Sequence, residues 1–311
     1  MLTSPAAPHG VAGALRSGRA GTAMIWKTTR FDIDLAQPRV MGIVNLTPDS
    51  FSDGDPALTP ARTLATCERL LAEGADILDL GGESSRPGAE PVSAESELAR
   101  VLPVLREAVR LGCPVSVDTS KPEVMRAALD LGADIINDVA ALRAAGALDA
   151  VAASASCGIC LMHMRGTPQT MQSDTHYADV VAEVSAFLRE RFEVLRAAGI
   201  ASERIVVDPG VGFGKTAAQN FELLERASEL LAIGPPLLAG WSRKATLARL
   251  AGISATPPAE RSATQRATLD AASAAAALLA VQGGVRIVRV HNVAATVAVL
   301  AVWKAACGQR R

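Results

Sequence analysis

Apolar residues recur in short runs rich in Val, Ile and Leu, at 40–44, 76–80, 114–117, 135–136, 158–162, 205–207, 237–239 and 287–290, and each run gives way to a polar residue or glycine. Between the runs lie stretches whose apolar positions fall three or four apart, at 60–73, 95–111, 122–131, 179–198 and 219–232, which is the spacing of amphipathic helices. Gly74, Gly132 and Gly199 close three of these stretches, where a left-handed cap turns the chain into the next strand. Strands that alternate with helices predict parallel pairing through crossover connections, and eight such units fit a closed α/β (β/α)8 TIM barrel better than an open sheet.

The residues that end the runs carry the chemistry. They are Asn45, the stretch 81–86, Asp118, Asn137 with Asp138, His163, Asp208, the stretch 242–244 and His291. In a parallel barrel these ends converge on the C-terminal mouth, so groups spread along the whole chain come to share one cavity. Polar residues that merely mark strand ends would account for one or two of them, not for all.

Composition narrows the picture. The chain has 311 residues, 49% of them hydrophobic and 20% charged, enough for one large core. The barrel is expected over 37–306 as one domain. Residues 1–36 are expected to lie outside it as a disordered or non-native extension, with Met24 as an alternative start; the absence of Asp and Glu from residues 1–30 is also shared by organellar targeting segments. The net charge of -1 has no long one-sign block and gives no generic surface for nucleic acid or anionic lipid. No apolar run reaches the roughly 18 residues of a membrane span, and a soluble, cytoplasmic protein is expected. Cys67, Cys113, Cys157, Cys160 and Cys307 are odd in number, and the C-x-x-C formed by Cys157 and Cys160 lies in an apolar run, so buried thiols are expected in place of a disulfide, redox or zinc site.

The first loop, NLTPDSFSDGD from Asn45 to Asp55, is long and polar with Phe51 at its centre, as suits a lid that excludes water. The second, GGESSRPGAEPVS, holds Arg86 between Ser85 and Pro87; an arginine there invites a phosphate or carboxylate, though by itself it would serve a surface salt bridge equally well. VDTSKP, IINDV and DPGVGFGK set Asp118, Asn137 and Asp208 at strand ends, a donor and acceptor face for a flat heterocycle with a guanidine-like edge. Buried carboxylates of this kind require a ligand or Lys244 as partner. DPGVGFGKT has the look of a phosphate-binding Walker loop, but Pro209 stands where its first glycine belongs, which excludes that reading. GWSRK brings Ser242 and Lys244 to the seventh strand, and RIVRVHN brings Arg289 and His291 to one face of the eighth. Arg289, His291, Arg86 and Asn45 would then surround a diphosphate, since the region after strands seven and eight is a recurrent phosphate site.

NLTPDSFSDG, GGESSRPGA, VDTSKPEV, IINDV, LMHM, DPGVGFGK, SRK and RVHN, in this order from about Met41 to Val302, resemble the dihydropteroate synthases of the pterin-binding enzyme family. The resemblance implies a transferase of folate biosynthesis that joins (7,8-dihydropterin-6-yl)methyl diphosphate to 4-aminobenzoate and releases pyrophosphate. It implies a pterin held by Asp118, Asn137, Met162, Asp208, Phe213 and Lys244, and a diphosphate held by Asn45, Arg86, Arg289 and His291 with Mg2+ on Asn45. It further implies an aminobenzoate pocket of Ser85, Pro87, Phe213, Ser242 and Lys244, where sulfonamides compete, and a catalytic set of Asn45, Phe51, Asp53, Arg86 and Lys244. A homodimer is expected.

Three departures stand out. Ser85 replaces a commoner threonine, Asn292 makes RVHN of a commoner RVHD, and the segment 252–268 is longer than usual before a helix that packs at the dimer interface in relatives. Two other readings share the barrel. A corrinoid-dependent methyltransferase has no need of the Phe51 lid or of the SRK and RVH cations, and a non-catalytic pterin-binding paralogue would bind without turnover.

Overall fold

A computed structural model of the chain describes residues 24–47 and 59–308. Eight parallel strands form the barrel: β3 (Arg39–Asn45), β4 (Ile77–Gly81), β5 (Val115–Asp118), β6 (Ile135–Asp138), β7 (Gly158–Met162), β8 (Ile205–Asp208), β9 (Leu238–Ala239) and β10 (Ile287–Val290). They pair in the order β8-β7-β6-β5-β4-β3-β10-β9. A parallel bridge between Val207 and Leu237, with the Val207 N–H donating to Pro236 O at 3.0 Å, joins β8 to β9 and closes the ring. All eight predicted runs are found at their expected positions.

The helices follow in turn: α1 (Pro60–Ala72), α2 (Ala94–Ala108), α3 (Pro122–Asp130), α4 (Ala147–Ala152), α5 (Val180–Ala197), α6 (Ala217–Glu225), α7 (Ala227–Leu230), α8 (Ala245–Leu250), α9 (Ala263–Gln282) and α10 (Val293–Gly308). The stretch predicted as one helix over 219–232 breaks at Arg226, whose guanidinium is pulled toward Asp179, the N-cap of α5, as well as Glu222 and Glu229. In the unusual 252–268 segment a short turn precedes a capping box: the Ser262 hydroxyl accepts from Gln265 N while Gln265 Oε1 accepts from Ser262 N.

Strand alternation divides the interior in two. Val40, Val44, Leu78, Leu80, Val288 and Val290 face outward onto the helices. Met41, Ile77, Ile135, Cys160, Val206, Leu238 and Ile287 face inward and fill the barrel's lower end. One step further along β4, β6, β8 and β10 the inward position turns polar, at Asp79, Asn137, Asp208 and Arg289, and that step is the mouth.

The expectation that residues 1–36 lie outside the fold is corrected for 24–36; residues 1–23 lie outside the described residues. β1 (Ile25–Lys27) and β2 (Asp32–Asp34) form an antiparallel hairpin with Trp26 opposite Ile33. Its buried Trp26, Ile33 and Leu35 pack on the inward residues at the barrel's lower end, apolar surface that would otherwise meet water. Trp26 Nε1 donates to Arg204 O at 3.0 Å, and Arg30 pairs with the buried Asp134.

Cys67, Cys113, Cys157 and Cys160 are buried and reduced, and Cys307 is exposed. Burial pushes the thiols of Cys67 and Cys113 up to about 12 and about 11. The C-x-x-C is a core feature, with Cys160 facing inward and Cys157 Sγ accepting from Arg204 Nη2 at 3.2 Å.

Candidate active site at the barrel mouth

The floor of the mouth is acidic and organised by one guanidinium. Arg289, on β10, donates from Nε to Asp79 Oδ2 at 2.6 Å and from Nη2 to Asp118 Oδ2 at 2.7 Å, reaching across to β4 and β5. The Asn137 amide also approaches Asp79 Oδ2, at 3.4 Å, and Asp208 Oδ1 accepts from Gly210 N at 2.7 Å. Burial opposes charge on Arg289, but Asp79 and Asp118 outweigh it and keep the guanidinium protonated. Burial raises Asp118 to about 7 against the pull of Arg289, and raises Asp208 against its Gly210 hydrogen bond and Lys244.

Two expectations change here. The buried carboxylates find their main protein partner in Arg289, not in Lys244, because alternation on β10 turns the guanidinium inward at their level. Arg289, expected beside a diphosphate, is held by Asp79 and Asp118 on the floor of the mouth. Asp79 was missed. It lies inside its strand, yet it faces inward by the same alternation as Arg289, and its buried Oδ1 has no partner among the described residues.

Lys244 stands with its Nζ 4.1 Å from the centroid of the Phe213 ring. Burial draws its ammonium down to about 8, with Asp208 opposing. Phe213 belongs to a glycine-rich loop in which Gly210, Gly212 and Gly214 have φ of 70°, 84° and 65°. At Gly210 a side chain would also run into His163 O, so the turn requires glycine twice over. Lys215 holds this loop from beneath, its Nζ 2.9 Å from His163 Nδ1, 2.9 Å from Gly210 O and 3.0 Å from Phe213 O. Burial, and then Lys215, push His163 down to about 2, so this strand-end histidine is a neutral brace beneath the mouth. Met162, Met164, Met171 and Phe213 pack as one apolar cluster.

On the other side a cavity of about 290 Å3 is lined by Asn45, Arg69, Arg243, His291 and Asn292, among others. Ser242 Oγ accepts the His291 backbone N–H at 3.1 Å and lies 2.9 Å from Nδ1. A Ser242 hydroxyl that donates to Nδ1 leaves the imidazole proton on Nε2 as a donor for an anion. Burial, then Arg243, Arg289, Arg86 and Lys244, hold His291 well below its ordinary range and neutral. Ser242, expected at an aminobenzoate, also orients His291.

The second loop is fixed at its base and open at its tip. Lys121 Nζ bridges Glu83 at 2.7 Å and the buried Glu97 at 2.6 Å, while Glu83 Oε1 accepts from Val92 N and Arg100 donates to Gly82 O. Arg86 and Pro87 are exposed and Ser85 is half-buried. Phe51 and Asp53 lie outside the described residues.

An inward ring of three carboxylates and an amide, one guanidinium, a caged lysine and a neutral histidine beside an anion-sized cavity define a barrel enzyme that binds a polar heterocycle joined to an anion. The pterin binding enzyme family matches residues 41–291, from within β3 to just past β10, and the chain belongs to it. Within that class it stands with the dihydropteroate synthases, transferases of folate biosynthesis that condense a dihydropterin-methyl diphosphate with 4-aminobenzoate. The dihydropteroate synthase of Neisseria meningitidis serogroup B is 51% identical over 286 residues, covering 90% of this chain and 97% of that one. The structure of Xanthomonas albilineans dihydropteroate synthase with 4-aminobenzoic acid superposes with TM-score 0.82 at 48% identity, covering 92% of this chain and 98% of that one. The Burkholderia cenocepacia dihydropteroate synthase complexed with 7,8-dihydropteroate gives 0.79 at 46% identity, again covering 92% and 98%.

Proposed function

We propose that this mouth binds the pterin through Asp118, Asn137, Asp208 and Lys244 between Met162 and Phe213, the diphosphate through Asn45, Arg86, Arg289 and His291, and the aminobenzoate against Ser85, Pro87, Phe213, Ser242 and Lys244. The observation that carries this reading is the Arg289 bridge. Arg289 ties the acidic floor together, and two residues on, His291 lines the anion cavity with Asn45, so one strand joins both halves of a single substrate.

The carboxylates accept the N–H groups of the aminopyrimidine edge, and the cations and the His291 donor bind the diphosphate more strongly as its charge grows. The methylene C–O bond breaks toward pyrophosphate, the arylamine nitrogen forms the new C–N bond, and its proton leaves. No side chain serves as nucleophile; the residues orient, exclude water and stabilise charge. Asn45 offers a hard oxygen at the anion cavity, which would suit a Mg2+ shared with the diphosphate. Bound there, the ion supplies Lewis-acid neutralisation of the leaving group.

A homodimer is supported by apolar side chains exposed on neighbouring helices, Leu250 of α8, Leu279 of α9 and Val302 of α10. A cytoplasmic location is supported by the free thiols, and no helix among the described residues is long and apolar enough to cross a membrane. The test is pyrophosphate release with the dihydropterin diphosphate, Mg2+ and 4-aminobenzoate, each omitted in turn. Release that needs both organic substrates and yields dihydropteroate is expected; pterin binding without turnover would move the assignment to a non-catalytic paralogue.

A further inference from the structure

The two proposed walls of the aminobenzoate pocket do not hold themselves in place. One wall, with Ser85 and Pro87, belongs to the second loop, which is anchored at its base 83–92 but projects beyond it. The other, Phe213, sits on the glycine-rich loop, whose three positive-φ glycines give it little conformational preference of its own. Residues 167–177, between β7 and α5, touch both. Gly88 N donates to Pro168 O at 3.1 Å, and Gln169 Nε2 donates to Ala89 O at 2.9 Å. Those contacts seize the Arg86–Ala89 turn, itself closed by Ala89 N donating to Arg86 O. From the same segment Gln172 Nε2 donates to Gly212 O at 2.9 Å, and the Tyr177 hydroxyl donates to Gly214 O at 3.0 Å.

The segment is stiff enough to carry load between them. Thr170 N and Met171 N both donate to Thr167 O, the Thr167 N–H donates to Thr170 Oγ1, and Ser173 Oγ donates to Thr170 O, which makes a compact turn. Met171 pins that turn into the floor of the mouth, buried against the cluster that contains Met162 and Phe213. Glycine-loop carbonyls that no strand or helix satisfies are thus answered by two side chains of this segment from above and by Lys215 from below.

We propose that residues 167–177 are a strut that sets the width of the aminobenzoate pocket, with Gln169 and Gln172 as positioning residues that reach no substrate themselves. The inference rests on the assignment of Ser85, Pro87 and Phe213 as that pocket's walls. A gap fixed on both sides suits a flat arene, whose binding depends on the separation of the surfaces that face its ring.

Gln169→Met and Gln172→Met remove the amide donors from exposed positions without adding charge, so the fold is not at risk. Each variant is expected to raise KM for 4-aminobenzoate about five-fold, the value of one ordinary hydrogen bond, while kcat and the affinity for 6-hydroxymethyl-dihydropterin stay within about two-fold. Phe213→Leu is measured alongside. If it raises the aminobenzoate KM and neither Met variant does, the pocket stands and the strut is wrong. If Phe213→Leu leaves that KM unchanged, the pocket assignment fails and takes the strut with it. Equal weakening of pterin binding by the Met variants overturns the proposal as well.

Discussion

Arg289 lies 2.6 Å from Asp79 across the barrel interior, and that pair holds the mouth's acidic floor together. Asp79 is fully buried and its second oxygen has no protein partner among the described residues, so the carboxylate depends on Arg289 without the ligand. Removing one member of a buried pair costs about 3–5 kcal/mol, mostly because the other is stranded. Arg289→Met is therefore expected to lower unfolding stability by about 3 kcal/mol in denaturant titration and to abolish pterin binding. The double variant Arg289→Met/Asp79→Leu is expected to regain part of the stability, since Asp118 still lacks its partner, and none of the binding. Recovery of binding would show that the pair is scaffold alone.

The same floor sets a narrow pH window for the heterocycle. Asp118 is raised to about 7 by burial, so below that value it becomes a neutral acid that meets an N–H edge with one weaker acceptor in place of a charged pair. Lys244 is lowered to about 8 by burial, so its cation is lost above that value. Affinity for 6-hydroxymethyl-dihydropterin, which carries no titrating phosphate, should climb through pH 7, approaching about ten-fold per unit on the acid side, and fall beyond 8. Stability runs the other way: a carboxyl raised in the folded state contributes stability below its ordinary range and loses it as pH rises through about 7. Lys244→Arg, which stays charged, should remove the alkaline fall, and Asp118→Asn the acid rise. A wild-type profile flat from pH 5.5 to 9 would sink the assignment.

How much of this could be read from the chain depends on whether a feature is local. Arg289 and His291 were legible because two residues of separation on one strand fix a common face. Asp79 obeys the same rule but was passed over, since attention to strand ends hides an inward carboxylate within a strand. The Trp26 hairpin was missed because three-residue strands give too short an alternation, and the need for a plug appears only once the barrel closes. Lys215 ends DPGVGFGK with no role visible in the sequence; its three partners come together only when the glycine loop folds back over His163. Gln169 left no signal at all, because its partner is a backbone carbonyl 80 residues away in sequence.

Lys244 and Arg86 should separate in their kinetics. Lys244 is enclosed against Phe213 near Asp208, where both organic substrates meet, whereas Arg86 rides exposed on the second loop. Lys244→Ala is expected to raise KM for both substrates by about ten-fold or more, the loss of a charged contact worth about 1.5–3 kcal/mol. Arg86→Ala should lower kcat and weaken the diphosphate substrate while leaving 6-hydroxymethyl-dihydropterin affinity unchanged. Equal loss of that affinity in both variants would show that the division of roles is wrong.

The hairpin plug should matter for stability and not for chemistry. Trp26 is fully buried at the end of the barrel opposite the mouth, so Trp26→Ala is expected to cost about 3–5 kcal/mol with KM values unchanged. Trp26→Phe keeps most of the packing and loses the Nε1 bond to Arg204 O, a cost of about 1 kcal/mol plus a small void. Thermal unfolding of the two variants, read beside their steady-state kinetics, separates the terms.

Asn292 is matched to Asp270. Its Nδ2 donates to Asp270 Oδ2 at 3.0 Å while its Oδ1 caps α10 through Ala295 N at 3.0 Å, and Arg243 grips the same carboxylate through Nε at 2.7 Å and Nη2 at 3.0 Å. Asn292→Asp would keep the cap, since Asn and Asp serve about equally there, and would gain about 0.3–1 kcal/mol from the helix dipole. Against that gain, a donor becomes a second acceptor facing a buried carboxylate, a loss of about 1–3 kcal/mol. The loss wins, and Asn292→Asp should lower the melting temperature and weaken diphosphate binding, because Arg243, His291 and Asn292 line one cavity. Asp270→Asn alone strips Arg243 of its charge partner. The swap Asp270→Asn/Asn292→Asp restores a donor facing an acceptor at unchanged net charge, so the double variant should be more stable than the sum of the two singles by about 1 kcal/mol or more. Strict additivity would mean that the two side chains do not depend on each other.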